Sequence, residues 1–172
     1  MPQPEIGQTA PDFTLPGVVI DGADALTRHF SLREQRGAPL VLAFYPADAS
    51  PGCTAQLCNY QSELAGFEAL GATVWAISRQ STESHESFAR KQGLAFPLLA
   101  DERGDVVDAY GVGMFGVGVR RSIFIIDAEG VVRWKHVALI GVTYQSAAVI
   151  RAELSRITGP GADGASRSAA AS

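Results

Sequence analysis

The sequence has little cysteine, no excess of basic charge and no long apolar run, and each absence excludes a class of protein. Two cysteines among 172 residues cannot form a disulfide framework, and a chain of this length can stabilise one compact core without such bridges. Asp and Glu outnumber Lys and Arg by 18 to 14, so no basic surface for nucleic acid is expected. No run approaches the roughly 18 apolar residues of a membrane span.

The first 13 residues also lack a basic segment followed by an apolar one, which a secretory signal peptide would require. The expected location is therefore the cytoplasm. In a reducing compartment, two cysteines that are close in sequence indicate catalysis or metal binding more than a structural bridge. This reasoning makes Cys53 and Cys58 the residues on which the function depends.

Alternating apolar runs and amphipathic segments predict an α/β fold. Strands are expected at residues 12–15, 18–20, 40–45, 72–78, 96–101, 121–127 and 131–137. Helices are expected at 53–70, 84–92, 105–110 and 143–157, with a brief helical turn at 31–35 and caps at Ser31 and Ser84. The continuous apolar runs at 40–45 and 72–78 are typical of parallel strands covered on both faces. The last two strands are close enough in sequence to form an antiparallel hairpin.

Together these elements predict a mixed central sheet with helices on both faces, in one domain over residues 1–157. Residues 158–172 include a long stretch without large apolar side chains. Such a composition cannot bury enough surface to offset the entropy of ordering, so this tail is expected to be disordered.

The candidate catalytic residues lie mainly in the segment that follows the strand at 40–45. A turn rich in Pro and Gly follows, and Cys53 then opens a helix. Open α/β sheets place ligands at the carboxyl ends of their strands. Free N–H groups and the helix dipole favour an anion at such a helix start, so Cys53 is expected to form a thiolate, the reactive form of cysteine. Ser50 offers a hydroxyl nearby, and Arg121 is the best candidate for a cation beside the sulfur, whereas Arg120 points to the opposite strand face and is expected to be solvated.

The motif P-x-x-x-[ST]-x-x-C, present as Pro46, Ser50 and Cys53, resembles the active-site signature of the peroxiredoxins. Residues 10–15, 40–46 and 121–127 are also similar to that family, and the resemblance extends over residues 6–157. The segment PGCTAQLC resembles the Q-type subgroup, also called bacterioferritin comigratory proteins, in which a second cysteine follows five positions after the first.

This resemblance implies a thioredoxin-like fold and a thiol peroxidase that reduces hydrogen peroxide and organic hydroperoxides. It implies that Cys53 is the peroxidatic residue and Cys58 the resolving one, with Pro46, Ser50 and Arg121 completing the site. A thioredoxin or similar dithiol is the implied reductant, no metal or organic cofactor is needed, and the expected state is a monomer or weak homodimer. Ser50 departs from the family, where Thr is commoner; the hydroxyl is kept.

The spacing of the two cysteines makes a separate mechanical prediction. In a helix, Cα atoms five positions apart are roughly 8–9 Å from each other, whereas a disulfide needs less than about 7 Å. Cys53 and Cys58 therefore cannot bond while the helix is intact. Oxidation is expected to unwind its first turns.

Other interpretations of the same residues remain open. Cys53 could be a core-filling thiol and Cys58 a structural residue of the helix face, while Ser50 could be only a helix cap and Pro46 only a strand terminator. A disulfide oxidoreductase would normally carry C-x-x-C, and a copper-delivery module could use both cysteines with His136. A noncatalytic domain that merely keeps the fold is the third alternative.

Other conspicuous residues are expected to have ordinary roles. The string at 111–116 matches G-x-G-x-x-G, but it follows a helix and leads into a strand, so it is rejected as a dinucleotide site. It is expected to form a loop near the site, in which Met114 and Phe115 could provide an apolar wall. The side chains expected to lie on the surface or in packing positions are His29, His85, His136, Trp75 and Trp134.

Overall fold

The computed structural model describes residues 3–114, 118–138 and 144–158. Within these ranges the strands are β1 (Thr14–Asp21), β2 (Asp24–Ser31), β3 (Leu40–Phe44), β4 (Thr73–Ser78), β5 (Leu98–Ala100), β6 (Ser122–Ile126) and β7 (Val132–Val137). The helices are α1 (Pro51–Ser62), α2 (Leu64–Ala69), α3 (Thr82–Gln92), α4 (Asp105–Ala109) and α5 (Ala147–Thr158), with a 3₁₀ helix at Arg33–Gln35. No described helix is long and apolar enough to cross a membrane.

The strands form one mixed sheet in the order β2-β1-β5-β4-β3-β6-β7. β3, β4 and β5 run parallel, and the other neighbouring pairs are antiparallel. The predicted hairpin of β6 and β7 is confirmed. Because β3 and β4 are parallel neighbours, their carboxyl ends lie at the same edge of the sheet, and the chain that leads to Cys53 starts there.

The two faces of the sheet carry separate cores, which follow from the period-two alternation of strand side chains. Val41, Ala43 and Tyr45 point to the face covered by α1, α2, α3 and α5. Leu42 and Phe44 point to the opposite face, where α4 packs. The prediction of helices on both faces is therefore confirmed. Aromatic side chains are buried in both cores, and Trp75 lies in the second.

The N-terminal hairpin is the main error of the strand prediction. One continuous strand, β1, replaces the two short strands expected on either side of Pro16 and Gly17, and β2 pairs with it along its whole length. Pro16 is tolerated because β5 pairs with β1 only at Gly17 and Val18. A Cβ on Gly17 would lie 2.8 Å from the Phe30 ring. β2 gave no signal in the sequence because Phe30 is its one fully buried residue.

Most of the helix boundaries and caps differ from the prediction. The helix expected at 53–70 begins at Pro51 and divides into α1 and α2 at Glu63. α3 is capped by Ser81, whose side chain accepts from the backbone N–H of Ser84, so Ser84 is not the cap. Ser31 is the last residue of β2 and makes no cap for the 3₁₀ helix. The last helix begins at Ala147 instead of residue 143 and includes residue 158.

Two predictions lie wholly or partly outside the described residues. Residues 159–172, most of the expected tail, are outside them, as are residues 115–117 of the Gly-rich segment. Of that segment, Gly113 forms a bridge with Val119, and Met114 is exposed.

Candidate active site

Cys53 is the third residue of α1, as the sequence predicted for a cysteine that opens a helix. Ser50 is the N-cap, and its Oγ accepts a hydrogen bond from the backbone N–H of Cys53 at 3.4 Å while donating to the carbonyl of Ala47 at 3.2 Å. Pro51 occupies the first helical position, where its missing N–H costs nothing. The thiol therefore lies at the positively polarised end of a 12-residue helix.

The side chain of Cys53 is fully buried, at 0% exposure, in the core that also holds Tyr45 and Leu57. Burial alone would suit a core-filling thiol as well as a nucleophile. The polar residues around the start of α1 separate these two interpretations.

Arg121 is the principal polar residue at this helix start. Its side chain is buried, at 6% exposure, and its Nη1 donates to Oε1 of Gln56 at 2.8 Å. A Cβ built on Gly52 would lie only 2.6 Å from Nη2 of Arg121. The guanidinium therefore lies directly against the backbone of the residue before Cys53, and the glycine makes this approach possible. Arg120, expected to be solvated, is instead half-buried.

Gln56 is the residue of this cluster that the sequence analysis missed. It is buried at 1% exposure, and its Nε2 donates to the hydroxyl of Tyr60 at 3.0 Å. Tyr60 donates in turn to the backbone carbonyl of Gln145 at 2.8 Å. Burial raises the pKa of Tyr60 well above its ordinary value, so the hydroxyl keeps its proton. A fixed chain of hydrogen bonds thus orients the acceptor that Arg121 uses.

Cys58 lies one and a half turns further along α1 and is half-buried. Its Sγ donates to Oε1 of Gln92, the last residue of α3, at 3.6 Å. Both cysteines are free, and α1 is continuous from residue 51 to residue 62. The structure is therefore that of the reduced protein. The predicted unwinding concerns the oxidised protein and stays a prediction.

The loop that connects β3 to α1 is fixed by a buried polar cluster around Asp48. Tyr45 donates to Oδ1 of Asp48 at 2.6 Å, and Ser84 donates to Oδ2 at 2.8 Å. Nδ1 of His85 lies 2.7 Å from the same Oδ2. Burial would raise the pKa of Asp48, but the hydrogen bonds and the charge of His85, with the hydrogen bonds of Tyr45 and Ser84, lower it below the ordinary value. Asp48 is therefore a carboxylate.

His85 corrects a further prediction. It was expected on the surface or in a hairpin, yet its side chain is fully buried on α3 and faces the loop that carries Pro46 and Ser50. The hint in the sequence was its spacing, because His85 lies three and four positions before Phe88 and Ala89 and so shares their face of α3. Pro46 itself lies in a bend after β3 and is half-buried.

A small crevice borders Arg121. It is lined by Gln56, Arg121, Ser122, Ile123, His136, Tyr144 and Gln145. His136 stacks on Trp134 and contacts the side chain of Gln145. Over the part of the chain that the structure describes, no three or more His, Cys, Asp or Glu side chains are grouped as metal ligands. The arrangement required for the copper alternative, both cysteines with His136, is thus not present in the described residues.

Comparison with known proteins decides the family. Residues 6–135 match the model of the AhpC/TSA family. The chain belongs to this family.

Two curated relatives refine the assignment. The chain is 41% identical over 129 residues to the chloroplastic peroxiredoxin Q of Sedum lineare, a match that covers 74% of this chain and 66% of that protein. It is 38% identical over 146 residues to the putative peroxiredoxin bcp of Coxiella burnetii, which covers 80% of this chain and 92% of the relative. The resemblance to Q-type peroxiredoxins seen in the sequence is confirmed.

A solved structure supports the fold. The bacterioferritin comigratory protein of Xanthomonas campestris, described for its alkyl peroxide reduction activity, superposes with a TM-score of 0.71 at 30% identity, over 84% of this chain and 92% of that one. The predicted thioredoxin-like peroxiredoxin fold is therefore confirmed. Membership of the AhpC/TSA family also confirms the predicted class of enzyme, a thiol-dependent peroxidase, and with it a hydroperoxide substrate and a thiol reductant.

Within this family assignment, the structure brings four of the five predicted site residues to one place. Pro46, Ser50 and Cys53 follow each other through the loop and the first turn of α1, and Arg121 reaches the same turn from the start of β6. Cys58 faces α3 instead, bonded to Gln92. A polar side chain on the buried face of α1, three positions after Cys53, was the signal that could have revealed Gln56.

Proposed function

We propose that this protein reduces hydrogen peroxide and organic hydroperoxides with Cys53 as the nucleophile and Cys58 as the resolving residue. The observation that carries the proposal is the position of Arg121. A buried guanidinium lies against Gly52 and is held by Gln56, so a fixed positive charge borders the turn that contains the thiol. A core-filling cysteine would need no buried cation beside it, whereas a thiolate nucleophile does.

In the first step, the Cys53 thiolate attacks one oxygen of ROOH. An S–O bond forms and the O–O bond breaks, so the sulfur loses two electrons to the peroxide and becomes a sulfenic acid. The departing RO⁻ takes up a proton to become ROH. Arg121 is a donor available to the charge that develops on this oxygen, and the Ser50 hydroxyl becomes one when it leaves its bond to the carbonyl of Ala47.

In the second step, the Cys58 sulfur attacks the sulfenic sulfur of Cys53. A disulfide forms and the hydroxyl leaves as water, with the proton coming from the Cys58 thiol. Because α1 separates the two Cα atoms by roughly 8–9 Å, its first turns must unwind for this step. Cys58 must also leave its hydrogen bond to Gln92.

In the third step, an external dithiol restores the enzyme. One of its thiolates attacks the disulfide, and after exchange the two cysteines regain their protons while the dithiol becomes a disulfide. A thioredoxin-type protein of the cytoplasm fits this role, because the Cys53–Cys58 disulfide is expected to be exposed once the helix has unwound. The proposed state is a monomer or weak homodimer, which light scattering tests.

Stopped-flow measurement of peroxide consumption tests the proposal with the wild type, Cys53→Ser and Cys58→Ser. Cys53→Ser is expected to be inactive because the nucleophile is removed. Cys58→Ser is expected to reduce one equivalent of peroxide and then stop until a small thiol is added. Peroxide consumption by Cys53→Ser, or a wild-type Cys53 that ignores peroxide, would contradict the proposal.

A further inference from the structure

The loop before α1 is held by one carboxylate whose hydrogen bonds come from two elements. Asp48 accepts from Tyr45 at the end of β3 and from Ser84 and His85 on α3, and its backbone N–H donates to Oε1 of Gln80 at 3.1 Å. Its side chain is 5% exposed. Water therefore competes little for these bonds, and together they fix the loop against α3.

The contacts of His85 show how it contributes. Its Nε2 lies 3.0 Å from the backbone carbonyl of Leu99, which can only accept, so this nitrogen carries a proton. Its Nδ1 lies 2.7 Å from Oδ2 of Asp48. The two contacts make the ring a link between Asp48 and β5. Tyr45, whose hydroxyl lies 3.2 Å from Nδ1, is the other titratable group in the cluster.

Ala49, between Asp48 and the N-cap Ser50, adopts a left-handed conformation with φ of 62°. Among the described residues it is the one non-glycine residue with positive φ. A side chain disfavours this region, and such strain persists only where neighbouring contacts hold the backbone in place. The Asp48 cluster supplies these contacts on one side and the Ser50 cap on the other. The loop thus stores strain immediately before the helix that must unwind.

We propose that Asp48 and His85 are positioning residues that hold this strained loop and thereby set how often α1 unwinds for disulfide formation. The inference rests on the proposed roles of Cys53 and Cys58. While the clamp of Asp48 and His85 is closed, α1 starts at residue 51 and presents Cys53 to peroxide. When it opens, the strain at Ala49 is released and the first turns of α1 come apart, which frees Cys53 to approach Cys58.

Three variants test the clamp: Asp48→Ala removes it, Asp48→Asn keeps one acceptor without the charge, and Ala49→Gly removes the strain while leaving the clamp. Glu86→Ala is the matched control, because Glu86 is a carboxylate on α3 whose surface ion pair is with Arg90, away from the loop. Rapid mixing with hydrogen peroxide, followed by tryptophan fluorescence and thiol quenching, separates the peroxide step from the disulfide step.

Asp48→Ala is expected to slow the peroxide step. It is also expected to speed the disulfide step about tenfold, because a shift of about 1.4 kcal/mol in the unwinding equilibrium changes the unwound population tenfold. Asp48→Asn should lie between Ala and the wild type. Ala49→Gly should slow the disulfide step about fivefold, because relief of a left-handed side chain favours the closed loop. This variant should also accumulate more sulfinic acid at a given peroxide concentration, since its sulfenic acid lives longer.

The two steps must change in opposite directions in Asp48→Ala. If Asp48→Ala slows both steps equally or changes neither, the inference is wrong. Faster disulfide formation in Ala49→Gly also overturns it, as does an effect of Glu86→Ala as large as that of Asp48→Ala. Ala49→Gly keeps the test decisive should Asp48→Ala fail to fold. A wild type that ignores peroxide would refute the proposed function; a reactive wild type with unmoved variants would refute only the clamp.

Discussion

Gly52→Ala is predicted to disable the peroxide step while leaving the fold intact. The added Cβ would lie 2.6 Å from Nη2 and 3.4 Å from Cζ of Arg121, so the guanidinium must retreat by about 1 Å to regain ordinary contact. That retreat stretches the 2.8 Å hydrogen bond to Gln56. A displacement of about 1 Å in a catalytic arrangement costs on the order of 100-fold in rate. The helix itself should tolerate the change, because alanine is the better helix former by up to about 1 kcal/mol.

The assay is the second-order rate constant of Cys53 with hydrogen peroxide, measured beside the thermal midpoint. Gly66→Ala is a matched control: its Cβ would lie 2.7 Å from Arg151, an arginine that is 45% exposed and can move into solvent. We expect Gly66→Ala to keep the wild-type rate and Gly52→Ala to lose about 100-fold. A Gly52→Ala protein with full peroxide reactivity would refute the idea that Arg121 must lie against this turn.

Two further predictions concern Asp48 and Gln92. The folded state lowers the pKa of Asp48, so its contribution to stability is present above the unfolded value of about 3.9 and is lost as pH falls through the folded value. In urea titrations, the stability difference between wild type and Asp48→Asn should therefore be constant from pH 7 to about 5 and shrink below about 4; a difference that grows in acid would contradict this. Gln92→Leu removes the acceptor that holds the Cys58 thiol, and we expect the disulfide step to quicken about twofold to threefold with no change in the peroxide step. A slower disulfide step in stopped-flow traces would show that Gln92 assists Cys58 instead.

Much of the fold could be predicted because its central strands are buried on both faces. All five residues of β3 and of β6 are buried, so β3 is a continuous apolar run and β6 is one after Ser122. β2 could not be found in this way, since five of its eight residues are exposed and only Phe30 is buried. Its pairing with β1 supplies the stabilisation that its side chains do not. The division between α1 and α2 was also hidden, because the apolar stripe continues across Glu63.

The site was predictable where it lies along the sequence and less so where it is assembled in space. Ser50 and Cys53 share one turn, so their spacing alone indicates a capped helix start. Gln56 and His85 contribute through partners 65 and 37 positions away, at Arg121 and Asp48. A single sequence carries no information on such contacts. His85 in particular looked like a surface residue because α3 is otherwise strongly polar.

The hold of Arg121 on α1 has a consequence for the order of events in the proposed cycle. The guanidinium touches residue 52 and bonds to residue 56, and both belong to the part of the helix that must come apart before the two sulfurs can meet. In the proposed cycle, the unwinding that allows the disulfide to form therefore separates Arg121 from the helix start and removes the cation from beside Cys53. The unwound enzyme should not react with a second peroxide molecule. Its peroxide reactivity should return only after the disulfide is reduced and α1 re-forms against Arg121.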